Sequence, residues 1–125
     1  MSRNWLQFSQ GLVPVVDIRI ANRRYRALID TGSAYSIIMP DLALKLGLPR
    51  VGTKTIVALN GQYETLVTVE LPPVGFGNTE LRSHEAGIRN LRPLGLGVEL
   101  LLGVVAFQKL RLQFDFKEGR IYLLE

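Results

Sequence analysis

The chain has 125 residues, no cysteine and a single histidine, His84. Disulfides and thiol chemistry are excluded, and a zinc site built from His and Cys has no ligand set. Nucleophilic catalysis of the Ser-His or Cys-His kind has almost no material. Long apolar runs are missing as well: the longest, Leu100–Phe107, is far shorter than a bilayer span requires. The N-terminal "WLQFSQG" breaks any signal-peptide core with Gln7, Ser9 and Gln10. The expectation is a soluble, cytoplasmic protein with no membrane segment in this chain. A dominant charge is also lacking. The net charge of +4 comes from scattered basic residues with few aromatics among them, which argues against a nucleic-acid surface. Even the "NRRYR" cluster, Asn22 to Arg26, reads as a solvated hairpin turn in preference to a phosphate site. Gly95-Leu96-Gly97 lacks the strand-then-helix setting of a dinucleotide site, and no cofactor is expected.

What is present is an ordinary globular composition, 47% apolar and 21% charged, at a length that suits one domain. Alternation of period two dominates, so the class is all-β with one short helix. Val16, Ile18 and Ile20 alternate with Asp17 and Arg19 as a half-buried strand, "ANRR" turns the chain, and Tyr25 to Asp30 returns. The last residues of that return, Ala27-Leu28-Ile29, are continuously apolar and expected to be buried on both faces. "PDLALKLGL" offers Asp41 as a helix cap, Leu42, Leu44 and Leu46 for burial, and Gly47 as a stop. "TIVALNGQYETLVTVEL" carries Asn60-Gly61 between two strand-like arms and predicts a long hairpin with an exposed tip. Residues 72–97, rich in Pro and Gly, read as short strands and loops. "VELLLGVVAF" is an apolar run interrupted by Gly103. After it, Leu110, Leu112, Phe114 and Phe116 share a face, Glu118-Gly119 turns, and a closing strand runs from Arg120 to Leu124.

One feature of this pattern is chemical. The stretch "RALIDTGSAYSII" ends an apolar strand on a carboxylate, Asp30, and follows it with Thr31, Gly32 and Ser33. A surface acid in a turn explains the triplet alone. The order of features across the chain adds more: hairpin, apolar-apolar-Asp-Thr-Gly-Ser, helix, Asn-Gly hairpin, apolar-apolar-Gly, terminal hairpin. In that order, and in "LIDTGSAYSII", "ALNG" and "LLGVVAFQKLRLQFDFKEGRIYL", the chain resembles the retropepsin-like aspartic proteases, in particular their bacterial single-domain members.

The resemblance covers roughly Leu12 to Leu124. It divides the chain into an N-terminal segment, residues 1–11, and a protease domain, residues 12–125. It implies a closed, barrel-like β fold with one lobe per chain, in which Leu101-Leu102-Gly103 passes close to the Asp30 loop. A side chain at Gly103 would then collide with neighbouring backbone; a glycine marking a bulge is the plainer alternative.

The activity implied is that of an aspartic endopeptidase acting on a peptide or protein substrate. Hydrolysing an amide without metal or covalent nucleophile needs one group to deprotonate water and another to protonate the carbonyl oxygen, and two carboxylates sharing a proton do both. This chain has one Asp-Thr-Gly. Asp17, Asp41 and Asp115 have no matching context, so the second carboxylate is expected from a second copy of Asp30 in a homodimer.

The family's roles place Asp30 as the catalytic acid and Thr31 as a bond across the two-fold axis. Gly32 becomes the turn residue that offers its carbonyl to substrate, and the Ser33 hydroxyl bonds the carboxylate. Leu59, Asn60 and Gly61 form a flap over the substrate, a plain surface hairpin with no ligand being the alternative for the Asn-Gly. The chain departs from the retroviral pattern at Ala34 and Val104, where an acid and an arginine make an ionic contact, and at Val105, where a polar residue is usual. An apolar interface is expected instead, with Trp5 and Ile121 to Leu124 contributing, though Trp5 and Phe8 suit ordinary core packing as well. His84 reads as a solvated loop histidine. A non-catalytic peptide-binding or assembly module with the same fold is the alternative.

Overall fold

Strand-forming alternation in the sequence becomes sheet almost throughout. The computed structural model describes residues 5–9, 12–58 and 60–124. These form strands β1 (Trp5–Gln7), β2 (Val15–Ile20), β3 (Arg23–Ile29) and β4 (Ser36–Ile38), then helix α1 (Pro40–Lys45). Strands β5 (Arg50–Val57), β6 (Tyr63–Leu71), β7 (Val74–Phe76), β8 (Thr79–Leu81) and β9 (His84–Ile88) follow. The chain ends with β10 (Leu100–Leu102), β11 (Arg111–Asp115) and β12 (Arg120–Leu124), with short 3-10 turns at Arg92–Leu94 and Val104–Phe107. Two sheets result: nine strands in the order β5-β6-β9-β4-β10-β3-β2-β7-β8, and three in the order β1-β12-β11. The larger sheet curls into a half-barrel around the main core, the barrel-like architecture that the resemblance implies.

The β2–β3 hairpin turns through Ala21 and Asn22, both at positive φ (50° and 64°). That two-residue geometry matches the right-handed strand twist, and Asn tolerates it well while Ala does so at some cost. Past the turn, β3 becomes an interior strand, paired with β2 on one side and parallel to β10 on the other, Leu102 opposite Ile29. Its apolar end follows from that position: Ala27 and Ile29 enter the main core, while Leu28 packs on a smaller cluster formed by Ile37, Ile56, Leu66, Leu91, Val98 and Leu101. β10 lies between β3 and β4; its Leu100 and Leu102 enter the main core and Leu101 the smaller cluster, so this three-leucine strand is covered on both faces.

Helix α1 departs from expectation in two details. Met39, not Asp41, is the N-cap residue, and no side chain caps it; Asp41 sits in the first turn, with its carboxylate 3.7 Å from exposed Arg92. Leu42 is buried and Leu46 half-buried, but Leu44 is 84% exposed. Positions two apart on a helix lie on opposite faces, so Leu42 and Leu44 cannot share one core.

The β5–β6 hairpin projects. β6 pairs with β9 only through Thr68–Leu71, which leaves the distal arm, Val57↔Tyr63 to Thr53↔Val67, as a two-stranded ribbon. Hydrogen-bonded on its own beyond Thr68, the ribbon still rests on the body through Ile56 and Leu66, which are buried in the smaller cluster. At the other end, β1 pairs with β12, and Phe8 is buried in the main core, so residues 5–9 pack with the body of the domain. Ile121 and Leu123 are also buried there. They are therefore not free to form an intermolecular surface, which corrects that part of the interface expectation; Trp5, Tyr122 and Arg120 form its outward face, with the Arg120 guanidinium 4.4 Å from the Trp5 ring centroid. No helix among the described residues is long and apolar enough to cross a membrane.

Candidate active site

Asp30 is the first residue beyond β3, and the strand's hydrogen-bond ladder still holds it: its N–H donates to Leu102 O at 3.0 Å. The chain then reverses in a turn built by the motif itself. Ser33 N–H donates to Asp30 O (3.1 Å), and Gly32 N–H donates to the Asp30 carboxylate Oδ1 (2.9 Å). This is an Asx-type turn, in which the acid's own oxygen satisfies a loop amide. One carboxylate oxygen is thus fixed, and the half-buried acid lines a cleft of about 510 Å³ together with Val13, Pro14, Thr31, Phe114 and Phe116. Among the described residues nothing bonds the Thr31 hydroxyl, and Thr31 is exposed.

The loop after Asp30 is locked to the Gly103 segment. Val104 N–H donates to Ser33 O (2.8 Å) and Val105 N–H to Ala34 O (3.3 Å). Between them Gly103 lies so close that a Cβ would stand 2.3 Å from Tyr35 O and 2.6 Å from Ser33 O. Leu101 and Leu102 precede it in β10, so the apolar-apolar-Gly motif and the Asp30 loop form one packed unit. Ala34 is exposed and Val104 is 46% exposed, leaving an apolar surface where the retroviral ionic pair would be.

Ser33 differs from its expected role. Its hydroxyl donates to Tyr35 O at 2.7 Å, away from the carboxylate. A serine hydroxyl readily bonds a backbone carbonyl a few residues away in this manner. Asn60 and Gly61 sit at the exposed tip of the β5–β6 hairpin, with Gly61 at φ 80° and Asn60 Oδ1 accepting Gln62 N–H at 3.0 Å. Leu59 lies outside the described residues. The hairpin meets the Asp30 loop where the Lys54 ammonium stands 4.9 Å from the Tyr35 ring centroid.

The sequence reading missed one pair. His84 is no solvated loop residue: it opens β9, is half-buried, and both ring nitrogens have partners, Nδ1 with Arg82 O (3.0 Å) and Nε2 with Ser36 Oγ (2.9 Å). Ser36 is fully buried and also accepts the Gly103 N–H at 3.2 Å. The available signal was a serine heading the apolar run Ser36-Ile37-Ile38, but its partner lies 48 positions away.

Comparison with known proteins agrees with this fold. A family model described as aspartyl protease matches residues 16–105. Among solved structures, the chain resembles a retropepsin-like aspartic protease from Rickettsia conorii, with a TM-score of 0.68 and 17% identity over 96% of this chain and 89% of that one. At that identity the likeness shows the fold, and the fold is retropepsin-like. No curated protein matches the chain by sequence.

Proposed function

The chain belongs to the aspartyl protease family, and from that premise we propose that it is an endopeptidase whose active site is completed by a second copy of itself. The observation that supports this reading is the Asp30 loop: one accessible carboxylate at the edge of an apolar cleft, one oxygen held by Gly32 N–H, and a neighbouring Thr31 hydroxyl without a partner among the described residues. In the pair, Asp30 and its counterpart share a proton. The ionised member takes a proton from the attacking water, and the protonated member donates to the carbonyl oxygen as the tetrahedral intermediate forms. One carboxyl then protonates the leaving nitrogen while the other takes a proton from a hydroxyl of the intermediate; the C–N bond breaks, releasing carboxylic acid and amine, and the dyad again holds one shared proton. The β5–β6 hairpin, with Asn60 and Gly61 at its exposed tip, closes over an extended peptide and excludes water. A two-fold contact here would be apolar: Val13, Val104 and Phe116 are exposed, and β11, beside the cleft, has a strand on one side only.

The test is cleavage of a mixed peptide pool by the purified protein and by Asp30→Asn. The amide is isosteric but cannot shuttle the proton, so cleavage is expected to vanish while circular dichroism stays unchanged. Undiminished cleavage by Asp30→Asn overturns the mechanism; peptide binding without cleavage by the native protein favours a non-catalytic peptide-binding module.

A further inference from the structure

The segment that holds the Asp30 loop makes four consecutive hydrogen bonds. Leu102 O accepts from Asp30, Val104 N–H donates to Ser33 O, and Val105 N–H donates to Ala34 O, all backbone to backbone. The fourth, from Gly103 N–H, ends on a side chain, the hydroxyl of Ser36. Ser36 is wholly buried, so its own proton needs an acceptor inside the protein. The printed geometry offers one: Nε2 of His84 at 2.9 Å. Nδ1 faces the Arg82 carbonyl at 3.0 Å, an acceptor only, so Nδ1 carries the ring proton and Nε2 presents its lone pair to Ser36. Every polar atom of the chain from Arg82 O through His84 and Ser36 to Gly103 N–H is then satisfied by a single arrangement of protons.

We infer that His84 is a positioning residue for Asp30, acting through Ser36 and the Gly103 amide; the inference rests on the reading of Asp30 as the catalytic acid. The relay orients the Ser36 hydroxyl so that its lone pairs face Gly103. Removing the Nε2 acceptor releases that orientation, and the Gly103 amide competes for a hydroxyl that must find another acceptor in a buried site. Gly103 lies between the residues that bond Asp30 and Ser33, so loosening it displaces the turn that aims the carboxylate. An imidazole is suited to this task because its two nitrogens differ, one donating and one accepting.

The experiment compares His84→Leu, His84→Gln and Ser36→Ala with the native full-length chain. Amide hydrogen exchange is read at Gly103 and Asp30, with the β11–β12 hairpin as internal reference. His84→Leu and Ser36→Ala are expected to speed exchange at Gly103 and Asp30 about tenfold, leaving the reference unchanged. His84→Gln, whose amide oxygen reaches the Nε2 position, restores protection. In peptide cleavage, kcat falls about 10- to 100-fold in His84→Leu with KM little changed, and His84→Gln recovers most of it. Native protection at Gly103 in His84→Leu, or a uniform rise across all strands, overturns the inference. So does an unchanged kcat. Should His84→Leu not fold, Ser36→Ala, which removes one oxygen from the same relay, carries the same expectations. If the native protein cleaves no peptide, the reading of Asp30 fails, while the exchange arm still decides whether His84 holds the loop.

Discussion

Replacing Gly103 by alanine isolates one physical term. Its backbone is extended (φ −92°, ψ −174°), a conformation open to any residue, so the requirement for glycine is purely one of space. An added Cβ would stand 2.3 Å from Tyr35 O, 2.6 Å from Ser33 O and 2.7 Å from Tyr35 C, where ordinary contact begins at 3.4 Å. Since 3.4 less 2.3 leaves 1.1 Å, the two segments must part by about 1 Å. All three atoms are backbone, held by Val104 N–H to Ser33 O at 2.8 Å, so no side chain can swing aside. Overpacking of this kind costs ~1–3 kcal/mol. A stretched backbone hydrogen bond adds ~1 kcal/mol. We expect Gly103→Ala to lose about 3 kcal/mol, read as a fall in Tm of about 12 °C at fixed protein concentration. Turnover should fall at least ~100-fold, because the displaced segment carries the Leu102 carbonyl that anchors Asp30. Gly52→Ala is the control: the nearest atom to its Cβ would be Thr68 Oγ1 at 3.9 Å, and stability should hold within ~0.5 kcal/mol or rise slightly. Denaturation of both variants decides the matter. A Gly103→Ala protein within ~1 kcal/mol of the native one would refute the rigid packing argued here.

Further outcomes follow from the same geometry. Specific activity should fall on dilution below the dimer's dissociation constant, since one chain supplies one dyad carboxylate; full activity in a sample that sediments as monomer would sink the shared-dyad mechanism. High salt should weaken association little, because Ala34 and Val104 stand where an ion pair would be screened; a steep salt dependence in sedimentation would contradict the apolar interface. Ser33→Ala should cost ~1 kcal/mol for the lost bond to Tyr35 O and leave the acidic limb of the pH–rate profile in place. An upward shift of that limb would show that the hydroxyl reaches the carboxylate in the working enzyme. Deleting residues 120–125 removes buried Ile121 and Leu123 and the strand that joins β1 to β11, so circular dichroism should report an unfolded chain.

Local chemistry made much of this protein legible in its sequence. Period-two alternation at Val16, Ile18 and Ile20 declares a strand with one buried face, and Asn60-Gly61 declares a hairpin tip. Asp30-Thr31-Gly32-Ser33 encodes a turn closed by its own carboxylate. Each of these depends on neighbours a few residues away. The family resemblance also implied close approach at Gly103, with a bulge as the alternative, and the 2.3 Å that would separate a Cβ there from Tyr35 O decides for close approach. Tertiary structure decided what depends on the second partner of a contact. Leu44 faces outward because six helical residues have only one side against the core, and Ile121 and Leu123 turn inward because their face of β12 lies on the main core. The Ser33 hydroxyl found Tyr35 O once the turn had closed. His84 changed most: alone in the sequence it has no partner to suggest a task, and only the parallel pairing of β4 with β9 brings it to Ser36. A hydrogen bond is a relation between two positions, and a sequence shows that relation only where the two positions are near each other along the chain.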